Sequence, residues 1–319
     1  MTAGAAQAET SEAWLLRPPV ELSPLEAGRA RSELDEIAAA AGAEGLSRLE
    51  NFLAGEGPAQ RFLAAVFDLS PFLRDLARRR PQMLDTLFER TVEQRLAEIV
   101  AAVAATPSAG NVSEASLMIE LRLLKAEAHF LIALAELAGE AGTALAVRRL
   151  SDLAGACVSA AVDFLLREAH GQGKLKLPDS REPARDCGWI VLGMGKLGAH
   201  ELNFSSDIDL VVFFDPEAPA IPDAYGATDL FSRLTRRLVR ILQDRTEHGY
   251  VFRTDLRLRP DPGSTPLAIP VLAALTYYEG RGQNWERAAM IKARPVAGDL
   301  AAGEAFLREL QPYVWRKYM

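Results

Sequence analysis

Between Trp189 and Asp215 the chain passes from an apolar run through a glycine-rich turn and a short polar stretch into a second apolar run, WIVLGMGKLGAHELNFSSDIDLVVFFD. Few folds accept that order. The apolar runs read as strands, and Gly193-Met194-Gly195-Lys196-Leu197-Gly198 reads as the turn that leaves the first. Alternate side chains of a strand share a face, so Asp207 and Asp209 point one way while Ile208 and Leu210 point into the core. Two carboxylates side by side at the start of a buried strand repel each other. A divalent cation is the usual reason to keep them there, and oxygen-only ligands suit magnesium. A phosphate-cradling turn beside a magnesium site suggests phosphoryl or nucleotidyl transfer.

The same turn is also a literal GxGxxG. Asp215 lies about 20 residues past the middle glycine, where a dinucleotide-binding fold places its ribose-binding acid. Three features weigh against that alternative. The segment from Gly198 to Asp207 is short for a crossover helix, and Asn203, Ser205 and Ser206 stand where such a helix wants apolar residues. A dinucleotide fold also leaves Asp207 and Asp209 without a task.

Further along, Tyr250 to Arg259 alternates as a third strand, with Phe252, Thr254, Leu256 and Leu258 on one face and Arg253, Asp255, Arg257 and Arg259 on the other. A solvated strand face mixes charges freely, which would explain this pattern without any function. One acid among three arginines is nevertheless what a site needs if the acid meets a cation and the arginines meet phosphates. Asp207, Asp209 and Asp255 would then form a carboxylate triad able to hold two magnesium ions roughly 3.5–4 Å apart.

A glycine turn, a strand with two alternating aspartates and a later strand with a third acid resemble the nucleotidyltransferase superfamily typified by DNA polymerase beta. The blocks GMGKLGAHELNFSSDIDL, RTDLRLRPDPGSTPL and GQNWERAAMIKARPVAGD, behind FLAAVFDLSPFLRDLARRRPQML, resemble the bifunctional glutamine-synthetase adenylyltransferase/adenylyl-removing family over nearly everything after about residue 45. One departure is Asp261-Pro262-Gly263, where family members often carry a polar residue and glycine. The SSDIDL form is similar to the family's first half, which removes AMP from glutamine synthetase. The resemblance implies a magnesium-dependent enzyme. Orthophosphate would attack the AMP esterified to a tyrosine of glutamine synthetase and release ADP, and adenylylation from ATP would be the companion activity. It also implies regulation by a PII signalling protein. A non-catalytic regulatory domain of the same fold is a further alternative, against which the three intact acids speak.

Composition fits this picture. A formal charge of −7 and 25% charged residues describe an acidic chain with no nucleic-acid signature. Cys157 and Cys187 are too few for a disulfide scaffold and read as reduced thiols, which points to the cytoplasm. No signal peptide and no apolar run of membrane-spanning length are present in the sequence.

The expected architecture is α+β. Residues 1–22 read as a mobile tail and 23–182 as an all-helical domain. A DNA-polymerase-beta-like nucleotidyltransferase α/β domain follows over 183–298, and 299–319 read as the start of a truncated helical region. Ser70-Pro71 reads as a helix start, with Arg78-Arg79-Arg80 at that helix's end. Thr106 to Asn111 reads as a loop before a long helix through Leu137. Gly226 to Glu247 reads as an amphipathic helix whose Arg233, Arg236, Arg237 and Arg240 are mostly solvated.

Around the proposed site, Lys196, the backbone of Gly193 and Gly195, Ser205 and Ser206 could contact phosphate, and Arg257 and Arg259 could grip it in a bidentate fork. Each also has a plain reading as an exposed turn, loop or strand residue. Glu286 and Arg287 read as a structural network with the strand arginines. The four scattered histidines have no zinc spacing, and His200 beside the turn reads as incidental.

Overall fold

A computed structural model describes residues 20–108 and 112–315. Most of the tail read at 1–22, the end of the Thr106–Asn111 segment and the Tyr318-Met319 terminus lie outside the described residues. The chain forms two compact units, 20–99 with 126–143 and 100–125 with 144–315.

The first unit is helical. It holds α1 (Ala27–Ala43), α2 (Ser47–Ala54), α3 (Pro58–Leu69), α4 (Pro71–Arg79) and α5 (Gln82–Asp85), with the start of α6 (Val92–Ala105) and the second half of α7 (Glu114–Leu137). The start read at Ser70-Pro71 is present: the Ser70 hydroxyl accepts from the Leu73 amide, and Arg78 and Arg79 occupy the last turn. Thr106–Ser108 is a 3-10 turn rather than open loop, because the Thr106 hydroxyl donates to the Ala102 carbonyl and carries the coil on.

The second unit contains α8 (Thr143–Gly171), β1 (Trp189–Gly193), α9 (Gly195–Gly198), β2 (Ile208–Phe214) and α10 (Ala227–Gln243). Then come β3 (Thr254–Asp255), β4 (Ala268–Pro270), α11 (Val271–Arg281), α12 (Asn284–Met290), β5 (Arg294–Gly298) and α13 (Leu300–Val314). The sheet order is β3-β2-β1-β5, with β4 also on β2. β1 runs antiparallel to both β2 and β5, whereas β2 is parallel to β3 and β4. Both sheet faces are covered, which is why β1 and β2 are almost continuously apolar. Ile190, Leu192, Val211 and Phe213 pack with Tyr278, Phe306 and Leu310 on one side. Trp189 and Phe214 meet Phe231 of α10 on the other.

The antiparallel β1–β2 pair removes the dinucleotide alternative. That fold needs a parallel βαβ crossover with the phosphates at the switch point. Here a single turn of helix and a loop reverse the chain.

One expectation is corrected here. The third strand is two residues long instead of ten. The Asp255 carboxylate accepts from the Arg257 amide at 2.8 Å and turns the chain out of the sheet. Ahead of it, the Val251 and Phe252 amides both bond the Leu242 carbonyl at the end of α10. The α10 arginines are mostly exposed, as read: Arg233, Arg236 and Arg240 are exposed, while Arg237 is partly buried and forked between Glu114 and Glu168, and Arg240 also meets Glu114. The periodicity of the helix could not reveal acids 69 to 126 positions away.

Cys157 and Cys187 are both buried, and burial pushes each thiol up to about 12, so neither is a thiolate nucleophile. Asp163 on α8 has a buried Oδ1 without a hydrogen-bond partner, and burial raises its carboxyl to about 6 against the pull of Arg167. A raised carboxyl favours the protonated form in the fold, so stability falls as pH rises from about 4 through about 6 and stays lowered above that. Asp163→Asn is expected to raise Tm at pH 8 and to leave it unchanged at pH 4, in thermal melts of both proteins at the two pH values. A gain of equal size at pH 4 would show that the carboxylate charge is not the cause.

Candidate active site

The acids come together where β2 and β3 begin. Asp207 is the last residue of the loop and is exposed; Asp209, one strand repeat on, is half-buried, with Ile208 and Leu210 in the core between and beyond them. The parallel β2–β3 register sets Asp209 directly opposite Asp255. Their carboxyls respond in opposite directions. Asp209 is held above the usual carboxylate range, first by burial and then by the charges of Asp255 and Asp207. Asp255 is held below it, chiefly by Arg257, whose Nε lies 2.8 Å from Oδ2. Arg257 therefore neutralises one acid of the pair and leaves the other without a direct partner.

Asp207 is paired with Arg253, whose Nη2 also reaches the Ser205 carbonyl at 2.6 Å. Arg253 thus ties the loop carrying Ser205 and Ser206 to the segment entering β3. Lys196 reaches across to the same loop, its Nζ 3.3 Å from the Ser206 hydroxyl. Gly195 adopts φ +50°, and a Cβ there would stand 2.9 Å from Asp209 Oδ2, so the turn lies directly against that carboxylate. Gly193 is buried, and a Cβ there would stand 2.7 Å from Val296 Cγ1.

Arg259 is the outlier among the phosphate candidates. Its Nη1 and Nη2 donate to the Leu256 and Pro262 carbonyls at 2.9 and 2.7 Å, bracing its own loop. That loop absorbs the Asp261-Pro262-Gly263 departure through a left-handed Asp261 (φ 39°), whose carbonyl accepts from the Ser264 and Thr265 amides. Glu286 is corrected too. It is 1% exposed and bonds Tyr277 and the Gln283 amide as part of a capping box on α12, so its partners are not the strand arginines. His200 bonds Asp152 on α8. Asp215 closes β2, its Oδ1 accepting from the Glu217 amide. A cavity of about 650 Å³ among residues 20–64 of the first unit contains none of the acids.

Three contributors escaped the sequence reading. Arg253 was visible on the polar face but not as the partner of Asp207. Lys125 of α7 lies with Nζ 5.1 Å from the Tyr250 ring centre and 5.7 Å from that of Phe252, and burial lowers it to about 8. Arg122, one turn earlier, donates to the Asp244 and Gly249 carbonyls. Neither α7 cation had a local sequence signal.

Among the described residues, no three His, Cys, Asp or Glu side chains are gathered closely enough to hold a metal ion as they stand. Asp207 and Asp255 are each drawn onto an arginine. The donor set still fits a hard divalent cation: all its atoms are carboxylate oxygens, and a cation would offset both the burial of the Asp209 charge and its repulsion by Asp255 and Asp207.

A helical lead-in followed by a small mixed sheet with acids at the head of adjacent strands defines an α+β nucleotidyltransferase. Residues 60–309 match the family model of glutamate-ammonia ligase adenylyltransferase (GlnE), and the chain belongs to that family. It is 76% identical over 306 residues to a bifunctional glutamine synthetase adenylyltransferase/adenylyl-removing enzyme of Mesorhizobium japonicum, covering 96% of this chain and 31% of that protein. Similar proteins of the same description occur in Brucella suis (59% identity, 93% of this chain, 30% of the relative) and Rhizobium meliloti (51%, 94% and 31%). The chain spans roughly a third of the length of these relatives. Among the described residues no helix is long and apolar enough to cross a membrane.

Proposed function

We propose that this chain carries a nucleotidyl-transfer site acting on glutamine synthetase in the cytoplasm, its main reaction the phosphorolytic removal of AMP from an adenylylated tyrosine. The observation that carries the reading is the opposition of Asp209 and Asp255 on adjacent strands, with Asp207 within charge range. Magnesium held by Asp207, Asp209 and Asp255 would supply Lewis-acid neutralisation of the phosphate charge. Lys196 and Arg257 bind and orient the anionic groups, and Arg257 exchanges the Asp255 carboxylate for a phosphate edge of the same bidentate geometry. Gly195, Ser205 and Ser206 line the approach, the backbone of buried Gly193 leads into the turn, and Arg259 holds the loop that carries Arg257. An orthophosphate oxygen bonds to phosphorus as the phosphorus–tyrosine oxygen bond breaks. ADP leaves, and the tyrosine oxygen takes a proton. Adenylylation from ATP, releasing pyrophosphate, is the companion reaction on the same core. Control by a PII-type signalling protein belongs to the same reading. Nucleic acid and membranes are not partners.

The direct test is to incubate the chain with adenylylated glutamine synthetase, magnesium and phosphate and to measure ADP. Free AMP released without phosphate would point to hydrolysis and overturn the phosphorolytic direction. The roles of the acids separate by mutation. Asp215→Ala is expected to keep at least about half of the activity, because its carboxylate only caps a turn, while Asp255→Ala removes magnesium-dependent turnover. The reverse ranking would mean the wrong acid has been assigned.

A further inference from the structure

The short α9 turn is held from below by the segment that enters β5. Arg294 Nη2 and Nε donate to the carbonyls of Leu197 and Gly198, at 3.2 and 3.3 Å. These carbonyls close the C-terminal end of a single-turn helix, where a cation satisfies both the orphan acceptors and the local dipole. Gly198 is pressed so closely onto the same segment that a Cβ there would stand 1.9 Å from the Lys292 carbonyl oxygen. Lys292 Nζ in turn reaches Glu201, just past the turn, at 2.8 Å.

The other end of this turn is the part that faces the acids. Gly195 lies against Asp209 Oδ2, and the Met194 amide donates to the Asp209 backbone carbonyl at 2.9 Å. The Gly198 amide closes the turn onto Met194 at 3.0 Å. A four-residue turn with its far end pinned has little freedom to tilt at its near end. Arg294 itself is half-buried. Both of its hydrogen bonds go to backbone carbonyls, and it has no carboxylate at hydrogen-bond distance among the described residues. Burial lowers its affinity for its proton, and the charge of Asp152 nearby, opposed by that of Arg148, offsets only part of this. A charged side chain kept under these conditions does something an apolar residue could not.

We propose that Arg294 is a positioning residue for the reaction: by clamping the Leu197 and Gly198 carbonyls it sets the distance between the glycine turn, with Lys196, and the Asp209 carboxylate. The activity part of this inference rests on the proposed nucleotidyl transfer; the clamp itself does not. Small displacements at a reacting centre are costly, so the loss should fall on turnover and not on substrate affinity.

The experiment uses the whole chain and has two readouts. In Arg294→Gln, amide hydrogen exchange at Met194 and Gly198 is expected to speed up by about 10-fold or more, while the β2 amides from Ile208 to Phe214 keep their protection. ADP formation from adenylylated glutamine synthetase should fall about 10- to 100-fold in kcat, with KM for phosphate within about 2-fold of the parent. Arg294→Ala opens onto a groove of about 290 Å³ lined by Ser151, Asp152, Ser159, Val296 and Leu300, so added guanidinium at millimolar concentration should restore part of the turnover. Unchanged exchange at Met194 and Gly198 in a folded Arg294→Gln overturns the proposal. So does a loss of protection spread evenly over the sheet, or a fall in activity carried by KM alone. Should Arg294→Gln fail to fold, Arg294→Lys, which keeps the charge but not the fork, is put through the same two measurements. A parent chain that forms no ADP sinks the proposed function, and the exchange result still decides the clamp.

Discussion

Asp209→Asn is expected to lower turnover by at least about 100-fold, the scale on which a single electrostatic element of an active site acts. The physical reason is specific to this residue. Of the three acids only Asp209 has no arginine at hydrogen-bond distance, and it is the one held above the carboxylate range, first by burial and then by the charges of Asp255 and Asp207. A neutral amide keeps the shape but cannot offer a charged oxygen. Because the substitution also removes like-charge repulsion, the fold should be unharmed, with Tm equal to or above that of the parent when no divalent cation is present. Excess chelator should abolish activity in the parent. Full turnover in Asp209→Asn, or turnover that survives chelation, would remove the basis for a carboxylate-held cation.

Arg122→Ala is expected to be the most destabilising single change in the second unit, at about 3–4 kcal/mol, or a Tm lowered by roughly 10 °C. Arg122 is 1% exposed and spends its guanidinium on three backbone carbonyls, those of Met118, Asp244 and Gly249, at 2.7, 2.5 and 2.9 Å. Two of these belong to the turn that carries the chain from the end of α10 towards β3. Truncation would leave acceptors unsatisfied and open a cavity in the same place. Since that turn leads directly to Arg253 and Asp255, turnover should fall further than stability alone explains when both proteins are assayed well below their melting temperatures. A melting temperature within a degree or two of the parent would show that water replaces the guanidinium at no cost.

The local devices were legible in the residue order. The apolar runs flanking GMGKLG could only be buried strands. The alternation at Asp207-Ile208-Asp209-Leu210 necessarily put both acids on the face away from the core, and a serine followed by proline started a helix at Ser70. These features depend on neighbours within a few positions, and periodicity reports such neighbours directly. The residue order of the three blocks was enough to reveal the family, because each block combines several of these devices. The strand direction that rejects the GxGxxG alternative was only hinted at, by a segment too short for a crossover helix.

Tertiary structure alone decided the rest. The alternation from Tyr250 to Arg259 reads as a long strand, yet only Thr254 and Asp255 pair with β2, because α10 captures the residues before them and the Asp255 side chain bends the chain after them. Which acid would be left without a partner depended on where Arg253 and Arg257 turned. Arg237 looked like a surface arginine until Glu114 and Glu168 met it, and Glu286 found Tyr277 and its own helix cap in place of the arginines. Arg122, Lys125 and Arg294 act on backbone carbonyls and aromatic rings far away in the chain. Such partners leave no mark on the spacing of nearby residues, so no reading of local pattern could have found them.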